Sequence, residues 1–269
     1  MIGAIAGDII GSVYEFDRIK TEDFELFADF HGEKCDFTDD TVMTAAVAAA
    51  VMKCDAEKDW EKLGELCSQS MHVLGKQYPD REYGERFGMW LFLDDPVPYN
   101  SFGNGAAMRV SPVAYAAKSL DEALFLSDRV TEITHNHPEG LKGAQATAAC
   151  IYLVRQGVEK DQIRNYVKEH FYDLNFTIKE IRNEYRFNET CQNTVPQAIQ
   201  AFLEADSYEE AVRKAVSLGG DSDTLACIAG SIAEACWGVP MEIAERAMSY
   251  LPPQLALIAD TFDKHYVKR

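Results

Sequence analysis

Two short stretches, Thr38-Asp39-Asp40-Thr41 and Gly219-Gly220-Asp221-Ser222-Asp223-Thr224, each set two carboxylates among hydroxyls just ahead of an apolar, alanine-rich run. So much negative charge in a handful of residues is costly unless something positive sits there. A hard divalent cation is one candidate, because all-oxygen ligands suit magnesium, calcium or manganese, whereas zinc calls for histidine or thiolate. Within a regular helix Asp221 and Asp223 would point roughly 200° apart. Gly219 and Gly220 permit a tight turn instead, from which both carboxylates can converge at the start of a helix near Thr224. Helix capping is the competing explanation, since acidic residues are favourable at the positive end of a helix dipole. An EF-hand is excluded, because neither segment continues through a loop ending in glutamate at the twelfth position.

Other stretches carry chemical potential of a weaker kind. In Gly7-Asp8-Ile9-Ile10-Gly11-Ser12-Val13-Tyr14-Glu15 two glycines allow close backbone approach, and Glu15 ends a mostly uncharged run; taken alone, it reads as a solvated surface residue. The run Asn100-Ser101-Phe102-Gly103-Asn104-Gly105, followed by Met108-Arg109, places a glycine-flanked asparagine before a helix whose free amides could hold phosphate. It lacks the third glycine of a dinucleotide fingerprint and is not a P-loop. Thr134-His135-Asn136-His137 sets two histidines at a helix boundary, with too few soft ligands nearby for a transition metal; hydrogen bonding or stacking on a ligand suits them better.

These residues need elements to position them, and helical signals dominate the chain. The sequence predicts helices over 42–52, 120–134, 141–155, 161–171, 196–205, 208–218, 225–237 and 241–250, within an all-α protein of about ten or more helices. Ser119 with Glu122 and Ser207 with Glu210 read as capping boxes, Pro196 as a helix start, and Gly157 and Gly238 as helix stops. The runs around 42–52, 145–153 and 225–235 are apolar on most faces and are expected to be buried. Polar loops are expected at 17–34, 78–86 and 175–192.

The chain's 269 residues, 47% of them hydrophobic, can bury a large core within one domain. Its 26 basic and 44 acidic residues give a net charge of −18, which argues against nucleic acid or an anionic membrane as partner. No apolar run approaches the roughly 18 residues of a membrane span, and the apolar start is interrupted by Asp8 without a basic leader. Seven scattered cysteines without a C-x-x-C pair read as reduced thiols in a cytoplasmic protein.

Taken in order, Gly7-Asp8 through Glu15, Phe37-Thr38-Asp39-Asp40-Thr41, Gly103-Asn104-Gly105 with Met108-Arg109, Thr134-His135 and Gly219-Gly220-Asp221-Ser222-Asp223-Thr224 resemble the signatures of the ADP-ribosylglycohydrolase family. The resemblance runs from residue 3 to about 238. It implies a compact orthogonal multi-helix bundle, one domain over 1–269, with a metal-lined central cleft that takes ADP-ribose. It further implies two Mg²⁺ or Mn²⁺ ions held by Thr38, Asp39 and Asp40 on one side and Asp221, Asp223 and Thr224 on the other, with Asp223 bridging. Glu15 matches the family's general acid/base. Ser101, Phe102, Gly103, Asn104 and Gly105 match the loop that cradles the diphosphate and distal ribose, and His135 matches a ligand-contacting histidine. Phe102 stands where some relatives have tyrosine, which removes one ligand hydrogen bond. The implied substrate is an ADP-ribosylated protein or a small ADP-ribose conjugate. Two alternatives stay open, a catalytically silent ADP-ribose-binding protein and a metal-dependent nucleotide phosphoanhydride hydrolase.

Overall fold

The computed structural model describes residues 1–16 and 18–267, so Asp17 of the first expected loop lies outside the described residues. Fifteen α-helices carry nearly all of its regular structure. The first eight are α1 (Ile2–Ser12), α2 (Asp39–Glu57), α3 (Leu63–Gln77), α4 (Glu85–Trp90), α5 (Gly105–Met108), α6 (Ser111–Ala116), α7 (Leu120–Thr131) and α8 (Pro138–Arg155). Then follow α9 (Lys160–His170), α10 (Ile178–Ile181), α11 (Cys191–Glu204), α12 (Tyr208–Val216), α13 (Ser222–Trp237), α14 (Met241–Met248) and α15 (Pro253–Phe262). The described strands are a two-residue ribbon, Asp29–Phe30 antiparallel to Glu33–Lys34. The all-α expectation therefore holds, and no described helix is long and apolar enough to cross a membrane.

The centre of the molecule is the contact between α1 and α13. Gly3, Gly7 and Gly11 recur every four residues and form one stripe on α1. A Cβ on Gly7 would lie 2.1 Å from the Ala226 carbonyl oxygen, and one on Gly11 would lie 2.5 Å from the Ser222 carbonyl oxygen. The two backbones are thus nearly in touch, closer than any side chain would allow. That approach brings the C-terminal end of α1, with Asp8 and Glu15, against the N-terminal end of α13, with Asp221 and Asp223.

The α2 start is built by a second device. Thr38 caps the helix by accepting from the Asp40 amide, and Asp8 reaches over from α1 to accept from the Thr38 and Thr41 amides, each at 3.1 Å. A carboxylate there satisfies orphan N–H groups and complements the helix dipole. The glycine turn before α13 behaves as its composition predicts, with φ of 66° at Gly219 and 74° at Gly220.

Some boundaries depart from expectation for identifiable reasons. Helix α11 begins at Cys191, five residues before Pro196, and carries that proline inside it. The Cys191 amide donates to the Phe102 carbonyl at 3.0 Å, so a tertiary bond fixes the start and overrides proline as a start signal. The two expected capping boxes are half formed: Ser119 and Ser207 accept from the Glu122 and Glu210 amides, but the glutamates accept from the Lys118 and Asp206 amides, one residue earlier. Gly157 and Gly238 do close helices, with φ of 75° and 72°. The seven cysteines are all free, and all but Cys236 are buried, where they serve as small core residues.

Candidate active site

The two acidic stretches, more than 180 residues apart in sequence, meet in space. Thr38 Oγ1 lies 3.3 Å from Asp223 Oδ2 and 2.8 Å from Asp8 Oδ1, and Thr224 Oγ1 donates to Asp40 Oδ2 at 3.0 Å. Asp39, Asp221, Asp223 and Thr224 line one side of a cleft of about 370 Å³, together with Glu15. Carboxylate oxygens of Glu15, Glu82 and Asp223 fall within 4.8 Å of one another, a spacing that could hold a metal ion. The donor set is oxygen throughout, as a hard cation requires.

Capping accounts for only part of this charge. Asp8 and Thr38 already serve the α2 N-terminus, leaving Asp40 Oδ1 buried without a hydrogen-bond partner. At α13, Asp223 Oδ1 accepts from the Thr224 amide at 2.8 Å, while Asp221 makes no side-chain cap and accepts instead from Asn104 Nδ2 at 2.7 Å. An orphaned buried carboxylate oxygen, amid acids that form no ion pair with a described lysine or arginine, is the environment that a bound cation would complete.

Burial, with mutual repulsion for most of them, raises Asp8, Glu15, Asp39, Asp40 and Asp223 above the usual carboxylate range. Asp8 is pushed up to about 6 by burial, against the opposing hydrogen bonds from Thr41 and Thr38. Glu15 is pushed up to about 8, first by burial and then by Asp221, Glu82 and Asp8. Asp39, Asp40 and Asp223 are raised for the same two reasons. The folded protein therefore binds more protons than the unfolded chain between about pH 4 and pH 8, and its stability falls as pH rises through that window. For Asp8 alone the loss is on the order of 3 kcal/mol. In chelator, the melting temperature is expected to drop by roughly 10 °C between pH 5 and pH 8. An added divalent cation should raise it more at pH 8 than at pH 5. A cation-free melting temperature that is flat over this range would contradict the description.

The opposite wall comes from the loop before α5. Ser101, Gly103, Asn104 and Gly105 line the cleft, whereas Phe102 is exposed at 42%, its ring 5.2 Å from that of His137. The Asn104 amide donates to the Glu189 carbonyl at 2.7 Å and the Gly103 amide to Ser101 Oγ at 3.2 Å. Helix α5 is only four residues long. The expected phosphate site at a helix N-terminus is thus reduced to a pinned turn with three of its amides, those of Ser101, Gly103 and Asn104, already engaged. Asn104 does structural duty as well, bridging Asp221 and Thr194.

His135 is buried beside this loop, its Nε2 placed where a Cβ on Gly105 would be 3.4 Å away. Burial, then the Arg109 and Arg86 charges, hold it well below the usual histidine range, so the ring is neutral. Arg109 donates to Thr134 Oγ1 at 2.7 Å, and Thr134 Oγ1 lies 2.8 Å from His135 Nδ1. Thr134 Oγ1 thus links Arg109 to Nδ1 of the ring and leaves Nε2 as the nitrogen that faces the loop. His137, by contrast, caps α8 by accepting from the Glu139 amide at 3.1 Å.

Two features of the site are absent from the sequence reading. Glu82 sits in an expected polar loop, yet reaches the Glu15–Asp223 pair with its backbone at a φ of 64°. Asp8, which lies in the first signature stretch with no role assigned to it there, ties α1 to α2 through the Thr38 and Thr41 amides. Glu15 is followed by Phe16, also left-handed at 61°, held by the hydrogen bond its amide donates to the Gly220 carbonyl and by stacking on Phe187 at 5.0 Å.

Comparison with known proteins bears on the family and the fold. The profile of the ADP-ribosylglycohydrolase family matches residues 1–266. The chain is similar to ADP-ribosylhydrolase ARH3 of Danio rerio, at 24% identity over 89% of this chain and 82% of the relative. It is similar to ADP-ribosylarginine hydrolase Tri1 of Pseudomonas putida, also at 24% identity, over 89% of this chain and 70% of the relative. A solved ADP-ribosylglycohydrolase-related protein complex superimposes with a TM-score of 0.68 at 19% identity, covering 98% of this chain and 95% of that one; this likeness speaks to the fold.

Proposed function

The chain belongs to the ADP-ribosylglycohydrolase family, and from that premise we propose that residues 1–269 work as one hydrolase that removes ADP-ribose from a modified protein side chain or a small conjugate. The bond cleaved is the glycosidic bond from C1 of the distal ribose to a nitrogen or oxygen. One observation carries the reading: Asp39 of the first acidic stretch, Asp221, Asp223 and Thr224 of the second, and Glu15 line a single cleft, with Thr38 Oγ1 3.3 Å from Asp223 and Glu15 within 4.8 Å of it.

In this reading Thr38, Asp39, Asp40, Asp221, Asp223 and Thr224 would hold two divalent cations, Mg²⁺ or Mn²⁺. When bound, the cations supply positive charge that offsets the carboxylates and polarises a water and the ribose hydroxyls. Asn104 and Thr224 fix the orientations of Asp221 and Asp40 through their hydrogen bonds. The turn Ser101–Gly105 cradles the diphosphate and ribose, and His135 presents Nε2 to the ligand. Glu15, buried among other acids, takes the proton of the attacking water or passes one to the leaving atom. The transition state has oxocarbenium character, as in glycosidases generally.

The test is product analysis. The protein is incubated with ADP-ribosylated protein and with small conjugates, with and without chelator, and the products are read by mass spectrometry. Intact ADP-ribose released only without chelator supports the proposal. AMP would indicate a phosphoanhydride hydrolase, and binding without any product a silent receptor; either result contradicts it.

A further inference from the structure

Among the described residues Arg109 is the only lysine or arginine with as little exposure as 1%, yet it lines the cleft. Its hydrogen bonds go to neutral oxygens, the Val130 carbonyl at 3.2 Å and Thr134 Oγ1 at 2.7 Å, and its Nε is buried with no partner. A guanidinium held this way is costly to bury, and an apolar side chain of similar size would avoid that cost. We propose that Arg109 is a positioning residue, which through Thr134 fixes the His135 ring so that Nε2 stays aimed at a ligand held by the turn Ser101–Gly105. The inference rests on the reading of the cleft as the ADP-ribose site.

Thr134 is the joint. Its Oγ1 receives the Arg109 bond and lies 2.8 Å from His135 Nδ1, while its carbonyl accepts from the Ser101 amide at 3.4 Å. Side chain and backbone of one residue thus tie ring and turn to the same point. On the other side of the ring, Nε2 lies 3.5 Å from where a Cβ on Gly103 would be and 3.4 Å from one on Gly105. Gly140, in the first turn of α8, closes the arrangement: a Cβ there would lie 2.8 Å from the carbonyl oxygens of both His135 and Ser101. Backbone packing therefore fixes where His135 sits, and the contact at Nδ1 fixes which way its ring faces.

The choice of arginine follows from charge rather than shape. One nitrogen, Nη2, makes both bonds, so the site uses a point donor and not the guanidinium fork. A neutral donor could reach Thr134 as well, but it would bring no charge. Burial first, then the Arg109 and Arg86 charges, keep the imidazole neutral. A neutral ring has one donor and one acceptor nitrogen, and can meet Thr134 with one and a ligand with the other.

The experiment measures ADP-ribose affinity by calorimetry, with Mg²⁺ present throughout. The variants are Arg109→Met, Arg109→Lys, Thr134→Val and His135→Ala, and the doubles of His135→Ala with Arg109→Met and with Thr134→Val. Arg109→Met and Thr134→Val should each weaken binding about tenfold, the scale of one hydrogen bond to a charged group. Arg109→Lys brings a single nitrogen with three donors to the same place and should restore most of that loss. In the doubles, binding should be no weaker than in His135→Ala alone. Losses that multiply in the doubles overturn the inference and make Arg109 a packing residue, and so does a lysine variant no better than the methionine one. Thr134→Val leaves every charge in place and keeps the test decisive if Arg109→Met does not fold. If wild type binds no ADP-ribose, the reading of the cleft fails, and the His135 ring decides the relay by itself. Its imidazole ¹⁵N resonances should then shift in Arg109→Met and stay near wild type in Arg109→Lys, whereas resonances unchanged in Arg109→Met overturn the inference.

Discussion

Glu15→Gln is expected to lower kcat by about a thousandfold while ADP-ribose affinity changes by no more than a few-fold. General acid–base catalysis by a positioned side chain contributes between roughly 10² and 10⁴ in rate, and glutamine keeps the shape of glutamate but cannot exchange a proton. The loss should therefore fall on kcat. Folding should not suffer, because Glu15 is a buried acid repelled by Asp221, Glu82 and Asp8. Removing its charge relieves that repulsion, and the variant in chelator should melt at the same temperature as wild type or higher at pH 8. A variant that keeps wild-type turnover would remove Glu15 from the mechanism.

Asp223→Ala should abolish the stabilisation that divalent cations give and reduce turnover by about a thousandfold or more. Asp223 is the member of the cluster that touches both acidic stretches and Glu15: Thr38 Oγ1 is 3.3 Å away, and its carboxylate shares the 4.8 Å group with Glu15 and Glu82. A cation at a hundred times its dissociation constant stabilises the folded state by about 2.7 kcal/mol, which for a chain of this size is worth roughly 5–10 °C. That gain should disappear in the variant. The cation-free variant should itself fold, since the substitution deletes one of several mutually repelling charges. An unchanged cation-induced rise in melting temperature would place the binding site elsewhere.

Much of the site is legible in sequence because its charge is local. Asp39–Asp40 and Asp221–Asp223 stand out as pairs, and the glycines at 219 and 220 announce the turn that the positive φ values bear out. Glu15 is different: nothing in its immediate neighbours distinguishes it from a surface residue, and only the family resemblance singles it out. Glu82 is not legible at all, since its reach depends on a left-handed backbone in a loop whose sequence shows no turn glycine at that position.

The fold divides in a similar way. Helices α2, α8 and α13 announce themselves by alanine-rich apolar runs, and their burial matches expectation. Helix α1 does not, because glycine disfavours a helix interior by about 1 kcal/mol relative to alanine, and three of its eleven residues are glycine. What local propensity counts against it, tertiary packing requires: the four-residue spacing is a contact stripe for α13. Helix α3 carries Leu63, Leu66, Cys67, Met71 and Leu74 on its buried side, a helical period that the sequence reading omits. Helix α11 shows the converse, a start fixed by a bond to the Phe102 carbonyl that no local signal encodes.

Location of the cations is the most direct test. Crystals grown with Mn²⁺, measured at the manganese absorption edge, are expected to show two anomalous peaks in the cleft, within coordination distance of Asp39 and Asp40 on one side and Asp221 and Asp223 on the other. A cleft without such peaks, or manganese bound only outside it, would contradict the account.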